Sequence, residues 1–441
     1  MNSFFKGTLL LAAAAFFSEC IEFHVNLVLA NELGERGMGL YMSILPSIFF
    51  FVLLASLELP ISISKFIAER DGKYHKSMLQ HAIRLTIIFT ACLLITTAVL
   101  LPKIPVFQHY HPFLKWLVIF LIPVISFSSI ARGYFMGKQQ MGKIAVSNFL
   151  RKLVQLGILV LVYQLFHFEM QTALLVAFCT LVGSEFIVFV YLIHMFIVQF
   201  HHLKQDPQNI LSKKNVLQNL MSVSIPTTAM RIFHAFTHAI QPFLIKAALV
   251  RAGFSENLAT EHFGMLAGVA MTIGFFPAFI AHSLLIMLIP TVSNAYAKKE
   301  THRLQKLLQQ VMVLTFTYGV LAVAIISFFA GPLTSLFFHS ETAAVYLQML
   351  WPYFLFHFFV IPMQAYLIGL GLIKDTFIHS IWSTVISFAL MYFLGSMYDF
   401  QMGGIIIGMN AGAVLLALMH YLTICKKIGI SWRLRTFPRK I

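Results

Sequence analysis

Residues 4–30 read FFKGTLLLAAAAFFSECIEFHVNLVLA, an apolar run entered from a short basic start. The opening resembles an export signal. The run continues past the Ala12–Ala15 cluster to Ala30, however, which is too long for a cleaved apolar region. It predicts a retained first membrane helix. A bilayer-spanning helix needs about 20 apolar residues, and windows of that length recur along the chain. They fall near 38–61, 82–101, 113–131, 144–165 and 172–198, then near 218–247, 263–290, 308–330, 344–369, 375–396 and 402–424. The expected fold is an all-α polytopic membrane bundle of about twelve transmembrane helices.

Composition agrees: 59% of the 441 residues are hydrophobic and 11% are charged, against about a quarter charged in a soluble domain. The net charge of +15 does not point to nucleic acid, because the basic residues sit in short loops between apolar spans. Lys65, Arg70, Lys73 and Lys76 follow the second span, and Lys204, Lys213 and Lys214 follow the sixth. Lys298, Lys299, Arg303 and Lys306 follow the eighth, whereas the alternate loops offer Arg36, Lys103, Lys115 and Arg251. That asymmetry predicts a bacterial inner-membrane protein with both termini in the cytosol. No loop has room for a nucleotide-binding domain and no GxxxxGK[ST] motif occurs. An acidic metal-binding loop is also missing, so the expectation is a transporter rather than an enzyme, with no cofactor and no metal. Cys20, Cys92, Cys179 and Cys425 lie in apolar spans or at a helix end, without ligand spacing, and read as reduced buried thiols.

The prolines expose an internal repeat. Pro46 and Pro277 are separated by 231 residues, Pro60 and Pro290 by 230, Pro102 and Pro332 by 230, Pro123 and Pro352 by 229. The turn YFMG at Tyr134–Gly137 returns as YLIG at Tyr366–Gly369, 232 residues on. Six helices per half is an even number, so the halves enter the membrane in the same direction. The expectation is a six-helix lobe over 1–215, a second over 216–425 and a basic cytosolic tail over 426–441. Pseudo-two-fold symmetry would relate the lobes about a central cavity.

Charged side chains inside hydrocarbon cost at least roughly 2.5–3.5 kcal/mol each and mark candidate sites. Glu19, Glu22 and Asn26 are spaced to share one face of the first helix. Arg231, His234, His238 and Gln241 form a stripe on the seventh, its counterpart in the other half. Both groups start half-way across their spans, so an acidic and a basic face are expected to meet across the cavity as a substrate or coupling site. Simple mutual neutralisation is the competing account. Glu185 in the sixth span is a further candidate, with a local ion pair as the alternative. Arg132 and Lys138 could hold phosphate at the cytosolic mouth, although orientation of the chain explains them as well. Arg151 and Lys152 are expected to snorkel toward headgroups. The scattered His282, His357, His379 and His420 are read as packing residues.

Three stretches resemble the stage V sporulation protein B family. They are GMGLYMSILPSIFFFVLLASLELPISISKFIAER at 37–70, ARGYFMGKQQMGK at 131–143 and FFPAFIAHSLLIMLIPTVSNAYA at 275–297. That family belongs to the superfamily of multidrug and toxin extruders, oligosaccharidyl-lipid flippases and lipid II flippases. The resemblance implies a two-lobed bundle and transport of a polyisoprenoid-linked saccharide in an endospore-forming bacterium, with membrane lipid and that saccharide as partners and no nucleic acid. Relatives that move lipid-linked pyrophosphates usually carry arginine in the first span; here FFSECIEFHVN at 16–26 carries Glu19 and Glu22. A cation or small-molecule antiporter of the same superfamily is therefore a second expectation, and a non-transporting scaffold a third.

Overall fold

The computed structural model describes residues 3–69, 71–104, 107–108, 110–202, 213–338 and 341–430. Lys204 and the tail from residue 431 onward lie outside the described residues.

The long elements are all helical, as a chain in lipid requires, because a helix satisfies its backbone N–H and C=O groups internally. In chain order they are α1 (Ser3–Ser56), α2 (Leu59–Glu69), α3 (Gly72–Leu100), α4 (Phe113–Gly137), α5 (Met141–Leu165) and α6 (Met170–His202). Then come α7 (Lys213–Arg251), α8 (Glu256–Gly264), α9 (Met271–Phe275), α10 (Ala278–Ala297) and α11 (Thr301–Phe328). The last are α12 (Ala330–Ser335), α13 (Glu341–Met349), α14 (Trp351–Gly369), α15 (Ile373–Gly395) and α16 (Gln401–Ile428).

Among the described residues, 11 helices are long and apolar enough to cross a membrane. The first, Ala15–Ala68, holds two crossings, because α1 turns a corner at Gly34 (φ 67°, ψ −179°). The expected loop near 31–37 is thus one residue, and glycine takes that left-handed φ without a Cβ clash. Glu256–Phe275 and Ala278–Ala297 are successive pieces of one rod. That rod is longer than the expected 263–290, contains a π-helical turn at Met265–Ala270, and breaks where Pro277 offers no N–H. α7, at 39 residues, is long enough to cross but is not among the 11. Resolved this way, the helices make twelve crossings.

The second span also differs from expectation. It breaks at Leu57 and Glu58 and continues as α2 to Glu69 instead of ending near 61. The tenth divides into α13 and α14, with Pro352 in the first turn of α14, where a missing N–H costs no intrahelical bond.

The chain packs as two compact units, Tyr41–Ile240 and Met1–Leu40 with Gln241–Ile441. These boundaries fall inside α1 and α7, whereas a division at 215/216 follows the repeat. In the first unit α4 packs on α2, α3, α5 and α6; in the second α14 packs on α10, α11, α15 and α16. The two networks correspond helix for helix. The repeated turns occupy equivalent points: Gly137 ends α4 against Ile67 and Ser64 of α2, and Gly369 ends α14 against Val292 and Ile289 of α10. Pro102 and Pro332 each follow the end of a long helix, α3 and α11. Each unit buries its own apolar core, around Ile63, Met78, Phe135 and Leu192 in one and around Leu288, Leu308, Tyr366 and Ile424 in the other.

Candidate functional site

The break between α1 and α2 places a carboxylate where sequence reading had not looked. Leu57 and Glu58 both adopt left-handed backbone (φ 45° and 48°), a state that costs roughly 1–3 kcal/mol per non-glycine residue and concentrates at functional sites. The Ser56 hydroxyl donates to Leu53 O at 2.8 Å and accepts from Glu58 N at 3.3 Å, splinting the turn. The chain then re-enters a helix through Pro60. Glu58 is thereby turned inward, its side chain 5% exposed.

Arg231 of α7 meets it. Its Nη1 lies 2.7 Å from Glu58 Oε1, within the unit Tyr41–Ile240, while the guanidinium side chain remains 61% exposed. Two turns earlier on α7, Ser224 donates to the Ser62 hydroxyl at 2.9 Å, so a second polar rung joins α7 to α2. A buried carboxylate without a counter-ion bears a desolvation penalty of several kcal/mol, which the Arg231 pair offsets. The guanidinium has five N–H donors, leaving others free to meet an anion from the exposed side.

The rest of the α7 stripe lies on one helix, as the spacing predicts. His234 is half-buried with its carbonyl accepting from Thr237 Oγ1, and His238 is exposed. Gln241 is the first residue of the other unit on this helix. Glu19, Glu22 and Asn26 also share one helix and are half-buried, in the unit Met1–Leu40 with Gln241–Ile441. There Phe16 and Phe23 of α1 stack edge-on against Phe276 at the α9–α10 break, and Phe23 also meets Phe337. Glu19, Glu22 and Asn26 therefore belong to a different unit from Arg231, His234 and His238, and the counter-ion of Arg231 within its own unit is Glu58.

A second polar cluster lies between α4, α5 and α6. Arg151 Nη1 pairs with Glu185 Oε1 at 3.2 Å, the local ion pair that is the alternative for Glu185. Arg132 donates to Asn148 Oδ1 at 3.1 Å, and Lys138 caps the end of α4. His379 and His420, expected to be isolated, meet through their Nδ1 atoms at 3.0 Å, with Thr423 at 3.2 Å from His379 Nε2.

Glu58 carried one sequence signal that could have found it: an acid two residues before a proline inside an apolar window, LASLELPIS. The α5–α6 and α15–α16 pairings carried none, since periodicity does not report how two helices are rotated against each other.

Residues 4–253 match the family described as polysaccharide biosynthesis protein, and residues 265–393 match the MatE family. The chain is 55% identical to the sporulation protein YkvU of Bacillus subtilis (strain 168) across 98% of this chain and 97% of that one. It is 30% identical to stage V sporulation protein B of the same organism, across 99% and 86%. The lipid II flippase MurJ, again from that organism, is 21% identical across 76% and 66%. Among solved structures, an inward-facing multidrug resistance MATE family transporter of the MOP superfamily superposes with a TM-score of 0.73 at 18% identity, covering 93% of this chain and 94% of that one. The two-lobed transporter fold follows from this likeness.

Proposed function

The chain belongs to the polysaccharide biosynthesis protein family, alongside stage V sporulation protein B, and on that premise we propose that it flips a lipid-linked saccharide or cell-wall precursor across the cell membrane by alternating access. It is a membrane transporter of the MOP superfamily. The observation that carries the finer reading is the Arg231–Glu58 pair. A lipid-linked saccharide presents phosphate to the protein while its tail stays in the bilayer. Arg231 offers a permanent cation whose exposed edge can grip two phosphate oxygens. Glu58 holds that cation in one rotamer while no substrate is bound, and a phosphate competes with it directly. The strained turn under Glu58 gives the site a second arrangement to relax into once the pair is weakened.

The flanking His234 and His238 of α7, in the same unit as Arg231, supply polar groups suited to sugar hydroxyls. The relatives' names, which include two sporulation proteins and a lipid II flippase, support an envelope or sporulation role. The charge distribution supports insertion in a bacterial inner membrane with both termini cytosolic.

A second reading is a cation- or proton-coupled antiporter, favoured by the carboxylates Glu19 and Glu22 on one face of α1. Translocation of a polyisoprenoid-linked saccharide in reconstituted vesicles, measured for Arg231 and Glu19 or Glu22 variants, separates the two.

A further inference from the structure

The cluster between α4, α5 and α6 has an excess of positive charge at a depth where charge is costly. These three helices carry Lys115, Arg132, Lys143, Arg151 and Lys152 against one carboxylate, Glu185. Lys115 stands at the far end of α4, so four of the five cations gather toward the α4–α5 turn. Arg132 lies five residues before the end of α4, roughly 8 Å along the axis at 1.5 Å per residue. Arg151 is ten residues beyond the start of α5, roughly 15 Å along the axis by the same rise.

Glu185 is committed to Arg151 at 3.2 Å. Among the described residues, Arg132 has an amide oxygen, Asn148 Oδ1 at 3.1 Å, and no carboxylate within ion-pair distance. It stands close enough to Glu185 and Arg151 to feel both charges, so the group holds two guanidiniums and one negative charge. Lys143 lies over the Phe135 ring at 4.6 Å, between this group and the turn. The same two helices also present exposed apolar side chains, Val146, Phe149 and Leu153 on α5 and Phe186 and Val190 on α6. A soluble anion would have to leave water to reach such a place. An anionic lipid brings its own tails to that apolar surface and its phosphate to the guanidiniums.

We propose that Arg132, Asn148 and Arg151 form a binding site for the phosphate of an anionic membrane lipid, held on the outside of α4–α6 from the α4–α5 side. Glu185 acts as a positioning residue that keeps Arg151 from turning away. The site is separate from Arg231 and stands whether or not the chain moves a saccharide.

The test uses the purified full-length protein in detergent, with lipid adducts counted by native mass spectrometry. The probes are dioleoylphosphatidylglycerol, dioleoylglycerol (the same tails without phosphate) and inorganic phosphate. Wild-type protein is expected to retain phosphatidylglycerol and not dioleoylglycerol. Arg132→Gln, and the charge-neutral pair Arg151→Gln with Glu185→Gln, should each weaken retention about tenfold or more, the scale of one charge-assisted hydrogen bond. Arg132→Lys should restore part of it. Arg303→Gln, which removes an exposed α11 cation paired with Glu300, should leave it unchanged. Thermal unfolding of each variant checks that the fold persists. Equal retention by wild type and variants overturns the proposal. So does retention of dioleoylglycerol to the same extent, or stabilisation by inorganic phosphate without any lipid adduct.

Discussion

Arg231 Nη1 sits 2.7 Å from Glu58 Oε1, and the two side chains differ in environment, one 61% and the other 5% exposed. The asymmetry gives the pair a direction. Arg231→Ala strands a buried carboxylate and should cost about 3 kcal/mol, toward the low end for a broken buried pair because the guanidinium is solvated. Glu58→Gln leaves an exposed cation and should cost under about 1 kcal/mol. The double change Glu58→Gln with Arg231→Gln should recover most of the loss. Thermal unfolding of the four proteins in one detergent measures this, and equal costs for the two single variants would contradict the assignment.

Left-handed backbone also occurs in two interhelical turns, one in each half of the chain. Gln139 after α4 and Lys299 after α10 have φ of 56° and 57°, and both are exposed. Glycine removes the Cβ clash of left-handed backbone, worth roughly 1 kcal/mol. Gln139→Gly and Lys299→Gly should each raise the melting temperature. A fall in both would place the turns in ordinary helical geometry.

Close helix crossings depend on particular glycines. A Cβ at Gly264 of α8 would collide with Glu35 O and Gly39 N of α1, whereas one at Gly157 of α5 meets nothing within 4 Å. Gly264→Ala should destabilise by about 1–3 kcal/mol. Gly157→Ala should be neutral or stabilise by up to about 1 kcal/mol through helix propensity. Fluorescence-detected size exclusion after heating ranks the two, and the reverse order would refute the packing.

Topology offers a separate check. In a variant lacking Cys20, Cys92, Cys179 and Cys425, a single cysteine at Ser255, the N-cap of α8, should react with an impermeant thiol reagent from the exported side. Labelling from the cytosolic side alone would invert the orientation.

The fold was largely legible because lipid imposes its rules on composition. Apolar windows located the crossings, and the proline spacing with the YFMG and YLIG turns revealed the repeat, whose glycines Gly137 and Gly369 end each helix where it touches its neighbour. Breaks within crossings were harder to see. The charged stretch around Gly34 reads as a loop, yet helical backbone continues on both sides of that one residue. At the site, Arg231 was legible from the cost of a charge in hydrocarbon, and the acid it meets was not. Glu58 stands near the expected end of a span, where charges are ordinary, and only the left-handed turn at Leu57 and Glu58 carries it into the interior. The Arg151–Glu185 and His379–His420 pairs depend on helix rotation, which apolar helices with a weak polar face do not encode.

The most direct measurement is translocation of a polyisoprenoid-linked saccharide in vesicles holding the purified protein. Wild type should move it. Arg231→Lys should lose much of the rate because one ammonium cannot grip two phosphate oxygens, and Arg231→Ala should lose nearly all of it while still inserting. Glu19→Gln and Glu22→Gln should have the milder effect. Wild-type vesicles that move no lipid-linked saccharide but exchange a small cation for protons, with activity abolished by Glu19→Gln or Glu22→Gln and spared by Arg231→Ala, would contradict the account.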